Sequence, residues 1–347
     1  MSLELEALLA LLIGMGVGVI AVPPMARLAR ATGIIDVPGG YKQHERPTPY
    51  LGGVAVLLAI LTATLVMAGV SSPIPAIALA ATAICALGTL DDRRPIPPAV
   101  RLAVQAGIAA ALWGAGAGWD LGVPDWANLV LTVGWVLLAA NAFNLIDNID
   151  GASSSAAAMS ALGIAAIALG ATGDSWPALL AAASLGACLA FLPYNLATPS
   201  RIFLGDGGST LLGFLLGVAA MGTLSGESVP TALIAAILLI AVPVIDTAVT
   251  LGSRRRRGSP MLAGGRDHLT HEIHGRVGSI RATAAIIAIA QVACSALAFA
   301  VLRLGVPALA LIAALMIFTI LATIIWIIRQ GPAKAPGGRI PELRKAG

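Results

Sequence analysis

The chain reads as an all-α polytopic membrane protein, on three observations. Of its 347 residues 58% are apolar and only 11% are charged, whereas a soluble globular chain is about half apolar and one quarter charged. The apolar residues fall in runs long enough to cross a bilayer. The cations collect between alternate runs. A soluble enzyme and a disordered chain are both excluded. The net charge of +4 belongs to membrane-flanking loops, and aromatics are only 4%, so no nucleic-acid partner is expected. Cys85, Cys188 and Cys294 lie scattered in apolar runs and offer neither a disulfide framework nor a metal spacing. The first apolar run follows Glu4 and Glu6 rather than a basic segment, so no cleavable signal peptide is expected.

A helix needs about 20 mainly apolar residues to span the hydrocarbon core. Eleven spans are predicted: 5–26, 51–70, 74–90, 98–117, 127–145, 152–171, 176–193, 208–224, 230–251, 281–302 and 306–328. With the N-terminus outside, 20 of the 21 Lys and Arg fall at the inner ends or loops, and only Arg303 falls outside. Cytoplasmic enrichment in Lys and Arg is the usual topology signal. The reading is therefore N-terminus out and C-terminus cytoplasmic, in the cytoplasmic (inner) membrane. Residues 1–330 form one transmembrane catalytic domain, and 331–347 a cytoplasmic tail. All four histidines and most carboxylates outside the spans lie on the inner side, so the active site is expected at the cytoplasmic face.

In chain order, the first inner loop carries Lys42, His44 and Arg46 before Pro47-Thr48-Pro49 and Gly52-Gly53. The prolines stiffen the approach to the second span. Asp91-Asp92 ends the third span. Adjacent carboxylates raise one another's pKa unless a cation balances them: Mg²⁺ is one candidate, Arg93-Arg94 another. Asn141, Asn144 and Asn148 share a helical face that continues to Asp147, followed by Asp150-Gly151. Such a polar stripe in an apolar helix must face protein or a cavity; a plain helix C-cap is the structural alternative. Phe203-Leu-Gly-Asp206-Gly-Gly-Ser209 opens the eighth span. Its glycines admit close approach, the helix N-terminus favours anions, and Asp206 is either a metal ligand or a simple N-cap.

Asp246 lies within the ninth span and must pair, protonate or reach water. The longest inner loop carries Arg254-Arg255-Arg256-Arg257, expected as a solvated anchor on anionic lipid. It continues with Arg266-Asp267-His268-Leu-Thr270-His271-Glu-Ile-His274. If helical, the three histidines share a face, which suits zinc, phosphate or uracil. H-E-x-x-H is absent, which disfavours a zinc protease.

Taken in order from about residue 33 to 280, these segments resemble the polytopic polyprenyl-phosphate N-acetylhexosamine-1-phosphate transferases. This family starts O-antigen and teichoic-acid linkage units and includes the peptidoglycan lipid I synthase. The matching pieces are Pro47 to Pro49 with Gly52-Gly53, Asp91-Asp92, Asn141 to Gly151, Phe203 to Ser209, Pro243 to Thr247 and Arg266 to His271.

The resemblance implies transfer of a sugar-1-phosphate from a UDP-sugar to polyprenyl phosphate, with release of UMP. UDP-N-acetylglucosamine is the favoured donor; UDP-N-acetylgalactosamine and UDP-muramyl pentapeptide are the alternatives. Mg²⁺ is the implied cofactor, with Mn²⁺ as a substitute, and membrane lipids or a second copy are further partners. Asp206 and Asp147 match metal-binding positions. Asp91, Asp92, Asp147 and Asn144 match catalytic ones, with one of the Asp pair a candidate base. Lys42, His44, Asn148, Asp150, Phe203, Arg266, His268 and His271 are the implied substrate contacts. Thr270 stands where the family's histidine motif usually continues with histidine, and Asn148 where many members have glycine. The residues leave direct attack and a covalent Asp intermediate both open.

Two rival classes fit less well. Asp147-x-x-Asp150-Gly151 is half of a CDP-alcohol phosphatidyltransferase motif, but Ala-Ser-Ser-Ser follows it. A transporter or flippase would need essential residues deep in the membrane, where only Asp246 qualifies, and no internal repeat is visible.

Overall fold

The computed structural model describes residues 1–38, 46–71, 73, 75–173, 175–258, 265 and 267–304, together with Ile74. Twelve helices are found there: α1 (Leu3–Thr32), α2 (Gly52–Ala68), α3 (Ile74–Arg93), α4 (Pro98–Gly114), α5 (Asp125–Ile146), α6 (Ala152–Ile167), α7 (Ser175–Asn195), α8 (Gly205–Thr223), α9 (Val229–Leu239), α10 (Ala241–Arg257), α11 (Leu269–Val277) and α12 (Ile280–Leu304). A π-helical turn, Ala168–Thr172, extends α6. Two short strands, β1 (Ile35–Asp36) and β2 (Thr48–Pro49), pair antiparallel. The protein is an all-α polytopic membrane protein. Among the described residues, six helices are long and apolar enough to cross a membrane, seven if the bent pair α9–α10 counts as one span. Every predicted span from 5–26 to 281–302 falls on one of these helices or on the α9–α10 pair. The predicted span 306–328 and the tail 331–347 lie outside the described residues.

Helix α8 is the central post. From Gly207 to Met221 every residue is buried, as expected of a helix apolar on all sides. Helices α2, α3, α5, α6 and α7 pack around it. Where helices approach closely, small residues permit it. A Cβ on Gly53 would lie 2.3 Å from the Gly208 nitrogen, and one on Gly88 2.5 Å from the Asp206 carbonyl. The lipid-facing surface is different in kind: Leu8, Leu12, Val19 and Ile20 on α1 and Ile289 on α12 are exposed apolar side chains.

One predicted span is sharply bent. Residues 230–251 do not form a straight helix; α9 and α10 meet at an 82° bend. Pro243 has no N–H to give, so the ladder at this point loses a bond. Gln291 of α12 repairs the break. Its amide donates to the carbonyls of Leu238 and Leu239 at 3.2 and 2.9 Å, and its carbonyl accepts the Val242 N–H at 3.0 Å. Gln291 is 0% exposed, so no water replaces it. Gln291→Met, which keeps the volume, is expected to orphan these groups and lower the unfolding free energy by about 2–4 kcal/mol. A fall of several degrees (roughly, by the usual conversion) in the detergent melting midpoint checks this; an unchanged midpoint contradicts it.

Candidate active site

The C-terminal ends of α3 and α5 and the N-terminal end of α8 meet at one end of the bundle. Gly205 (φ +74°) turns the chain into α8. Ahead of it, Gly52 and Gly53 donate backbone hydrogen bonds to the Phe203 and Leu204 carbonyls at 3.1 and 2.9 Å, and Phe203 N–H reaches the Pro49 carbonyl at 2.8 Å. The Phe203 ring lies 6.0 Å from that of Tyr50. Asp206 is therefore held by backbone, not by a flexible loop.

The three clustered carboxylates have distinct environments. Asp92 accepts the N–H groups of Asp206 and Gly207 at 3.0 and 3.3 Å. A helix leaves its first N–H groups unpaired, and a carboxylate satisfies them well. Asp92 thus caps α8 from another helix, and Asp206 is not itself the N-cap. Asp91 accepts the Ile96 N–H at 2.6 Å and pairs with Arg101. The same guanidinium nitrogen reaches Asp206 at 3.1 Å. Balance comes from Arg101 of α4, then, and not from Arg93 and Arg94, which are exposed. Side-chain exposure is 9% for Asp91 and 38% for Asp206. Asp206 is the more open of these two to an incoming ligand.

The asparagine stripe of α5 ties three neighbouring elements. Asn141 donates to Gln105 of α4 at 2.7 Å. Asn144 donates to Ser209 of α8 at 3.2 Å. Asn148 accepts from Thr270 at the start of α11. Asp147 and Asp150 follow in the connection to α6. Burial pushes the Asp147 carboxyl well above the usual carboxylate range, reinforced by the charges of Asp206, Asp150 and Asp92. Burial pushes Asp150 up to about 6, against the lowering effect of the Asn195 amide. Asn195 also accepts the Gly151 N–H at 2.6 Å and donates to Ile202, so it joins the Asp150 turn to the approach of α8.

Asp246, 0% exposed, pairs with His268 Nδ1 at 2.8 Å and accepts the Thr270 N–H at 3.4 Å. Thr250 lies 3.1 Å from the same His268 nitrogen. The bend between α9 and α10 brings this pair toward Asn148. The histidines do not form the shared zinc face: His268 is the extended N-cap of α11, and His274 approaches Thr283. His271 lies with its ring 6.2 Å from that of His268. Lys42, His44 and Arg266 lie outside the described residues.

No three His, Cys, Asp or Glu side chains among the described residues converge as a ready-made metal cage. Mg²⁺ does not require one, since it commonly takes one or two carboxylates and completes its shell with water and substrate phosphates. The openness of Asp206 and the crowding of negative charge on Asp147 fit that mode.

Two readings of the basic run separate here. Arg255, Arg256 and Arg257 are exposed, but Arg254 is 3% exposed and pairs with Asp267 at 3.2 Å. It is a tether for the chain entering the histidine segment, not a solvated anchor. Arg101, Asn195 and Gln105 were not among the predicted site residues.

Residues 74–224 match the family model described as glycosyl transferase family 4, a stretch that holds Asp91, Asp92, Asn144, Asp147, Asn148, Asp150, Phe203 and Asp206. A probable undecaprenyl-phosphate N-acetylglucosaminyl 1-phosphate transferase of Bacillus subtilis is 29% identical over 267 residues, covering 73% of each chain. A decaprenyl-phosphate N-acetylglucosaminephosphotransferase of Mycolicibacterium smegmatis is 29% identical over 286 residues, 71% of this chain and 70% of its own. The undecaprenyl-phosphate alpha-N-acetylglucosaminyl 1-phosphate transferase of Escherichia coli K12 is 28% identical over 262 residues, 71% of each. Apolar helices and relatives together define an integral-membrane transferase. Over residues 74–224 the chain is similar to glycosyl transferase family 4.

Arg254→Gln is expected to strand Asp267 and cost about 3 kcal/mol of stability. Arg255→Gln with Arg256→Gln is expected to leave the melting midpoint unchanged. Equal effects of the two in thermal unfolding would contradict the distinction.

Proposed function

We propose that the protein transfers N-acetylglucosamine-1-phosphate from UDP-N-acetylglucosamine to polyprenyl phosphate. This is the first membrane step of a cell-envelope polysaccharide, performed at the cytoplasmic face of the inner membrane by an eleven-span, N-out chain. A phosphate oxygen of the lipid attacks the sugar-bearing phosphorus of the donor. The bond between the two donor phosphates breaks, and its electron pair leaves on UMP. The carrying observation is the Asp91–Arg101–Asp206 cluster, set on backbone fixed by Asp92 and by glycine contacts, beside the Asn144 and Asp147 end of α5.

Phosphoryl transfer needs position and charge neutralisation more than covalent help from the protein. Asp206 and Asp147 would hold Mg²⁺, which would neutralise phosphate charge when bound. Asp92 is engaged by the N–H groups of α8, and Asp91 by the Ile96 N–H and Arg101; one of the pair is the candidate to accept a proton from the lipid phosphate. Arg101 pairs with both Asp91 and Asp206 and balances their negative charge. Asn144 steadies the α8 side through Ser209. Asn148, Asp150 and Phe203 line the donor side. Asp246 orients His268, and through Thr270 the same network reaches Asn148; His271 lies beside His268, and Lys42, His44 and Arg266 are the further substrate contacts the sequence suggests.

The test is UMP release by purified protein in detergent with Mg²⁺ and a short polyprenyl phosphate. UMP is expected with UDP-N-acetylglucosamine only when lipid is present. It is expected neither with UDP-N-acetylgalactosamine nor with UDP-muramyl pentapeptide. Asp206→Ala is expected to lower the rate by about a thousandfold or more. No UMP from any donor, or undiminished release by Asp206→Ala, would refute the proposal.

A further inference from the structure

A second charged feature lies at the same end of the bundle, away from the carboxylates. Arg30 in the last turn of α1, Arg46 before β2, Arg201 in the α7–α8 connection and Arg281 in the first turn of α12 line a cavity of about 610 Å³. Among the described residues no carboxylate lines it, and none of the four arginines is ion-paired there. Arg281 spends one N–H on the Leu196 carbonyl, at 3.3 Å, and Arg30 faces the favourable C-terminal end of the α1 dipole. Those contacts explain two arginines singly. They do not explain why four, from four segments distant in sequence, converge on one concave space. Like charges held together repel, and an anion in the cavity would relieve this.

We propose that this cavity binds a phosphate-bearing ligand, at a site separate from the Asp91–Asp206 cluster. The planar guanidinium fork matches phosphate oxygens in bidentate fashion. The volume lies within the usual range for small-ligand pockets, about 300–1,000 Å³. Two of the contributing helices, α1 and α12, expose apolar side chains such as Ile20 and Ile289, so the cavity sits between lipid-facing helices. The phosphate therefore belongs to a lipid headgroup or to a soluble phosphate compound. Thr48 and Pro49 form part of the wall, and the Pro49 carbonyl accepts the Phe203 N–H. A ligand here would brace the segment that holds the entry to α8.

The test uses the full chain in phosphatidylcholine nanodiscs with EDTA, which removes divalent cations from the carboxylate site. Inorganic pyrophosphate is titrated by calorimetry. Phosphatidylglycerol is added in increasing mole fraction and its retention is read by native mass spectrometry. At least one probe is expected to bind saturably to wild type and to Arg255→Gln/Arg256→Gln. It is expected to bind at least about tenfold more weakly to Arg30→Gln/Arg46→Gln and to Arg201→Gln/Arg281→Gln. Phosphatidylglycerol alone would identify a lipid headgroup, pyrophosphate alone a soluble ligand, and both a site that reads the phosphate itself. Independently of any variant, the bound probe should shield Arg30, Arg46, Arg201 and Arg281 of wild type from phenylglyoxal. No saturable binding of either probe, undiminished binding in both double variants, or no shielding would overturn the proposal.

Discussion

The closeness of α2 and α3 to the first turn of α8 governs everything at the carboxylate end of the bundle. Gly53 lies against Gly208, Gly88 against Asp206, and a Cβ on Gly207 would meet the Thr89 hydroxyl at 2.3 Å. Such contact is available only where no side chain intervenes. It brings the end of α3 beside the start of α8, within reach of the two backbone N–H groups that Asp92 caps. An N-cap contributes about 1 kcal/mol in stability, but its larger effect here is geometric. It fixes Asp206 one position along a rigid helix, next to Asp91 and Arg101.

Charge then follows from packing. Three carboxylates near one helix start would be costly alone. Part of the cost is met by helix N–H groups at Asp92 and part by Arg101, shared between Asp91 and Asp206. Among the described residues Asp147 has no such relief: burial and neighbouring negative charges keep its carboxyl raised. A divalent cation joined by substrate phosphates would relieve it. On the other flank, the α9–α10 bend, kept intact by Gln291, lets the buried Asp246 meet His268, so a helix break far along the chain is part of how the histidine segment is placed.

Much of this was legible in the sequence. Hydropathy located the helices, and glycine-flanked or asparagine-rich span ends marked Asp92, Asp147 and Asp206, because polar groups in apolar helices are costly enough to be informative. What escaped was non-local. Arg101 looked like an ordinary span-end cation, and its link to Asp206, 105 positions away, is not visible in the sequence. Arg254 was hidden among three solvated arginines of the same run; residue type cannot say which member turns inward. Nothing near Pro243 reveals the repair of the break, because Gln291 comes from a helix about 50 positions later. The histidine triplet obeyed helical spacing, yet α11 starts only after His268, so the expected common face never forms.

The most direct measurement is the lipid-dependent UMP release rate of Gly88→Ala, set beside Gly107→Ala. The added methyl at Gly88 would press on the Asp206 carbonyl, whereas at Gly107 it meets nothing within 4 Å. If close approach sets the site, Gly88→Ala stays helical and monodisperse but loses about 100-fold in rate, the scale expected for a displacement of about 1 Å, while Gly107→Ala keeps the wild-type rate. A folded Gly88→Ala that releases UMP at the wild-type rate would contradict it.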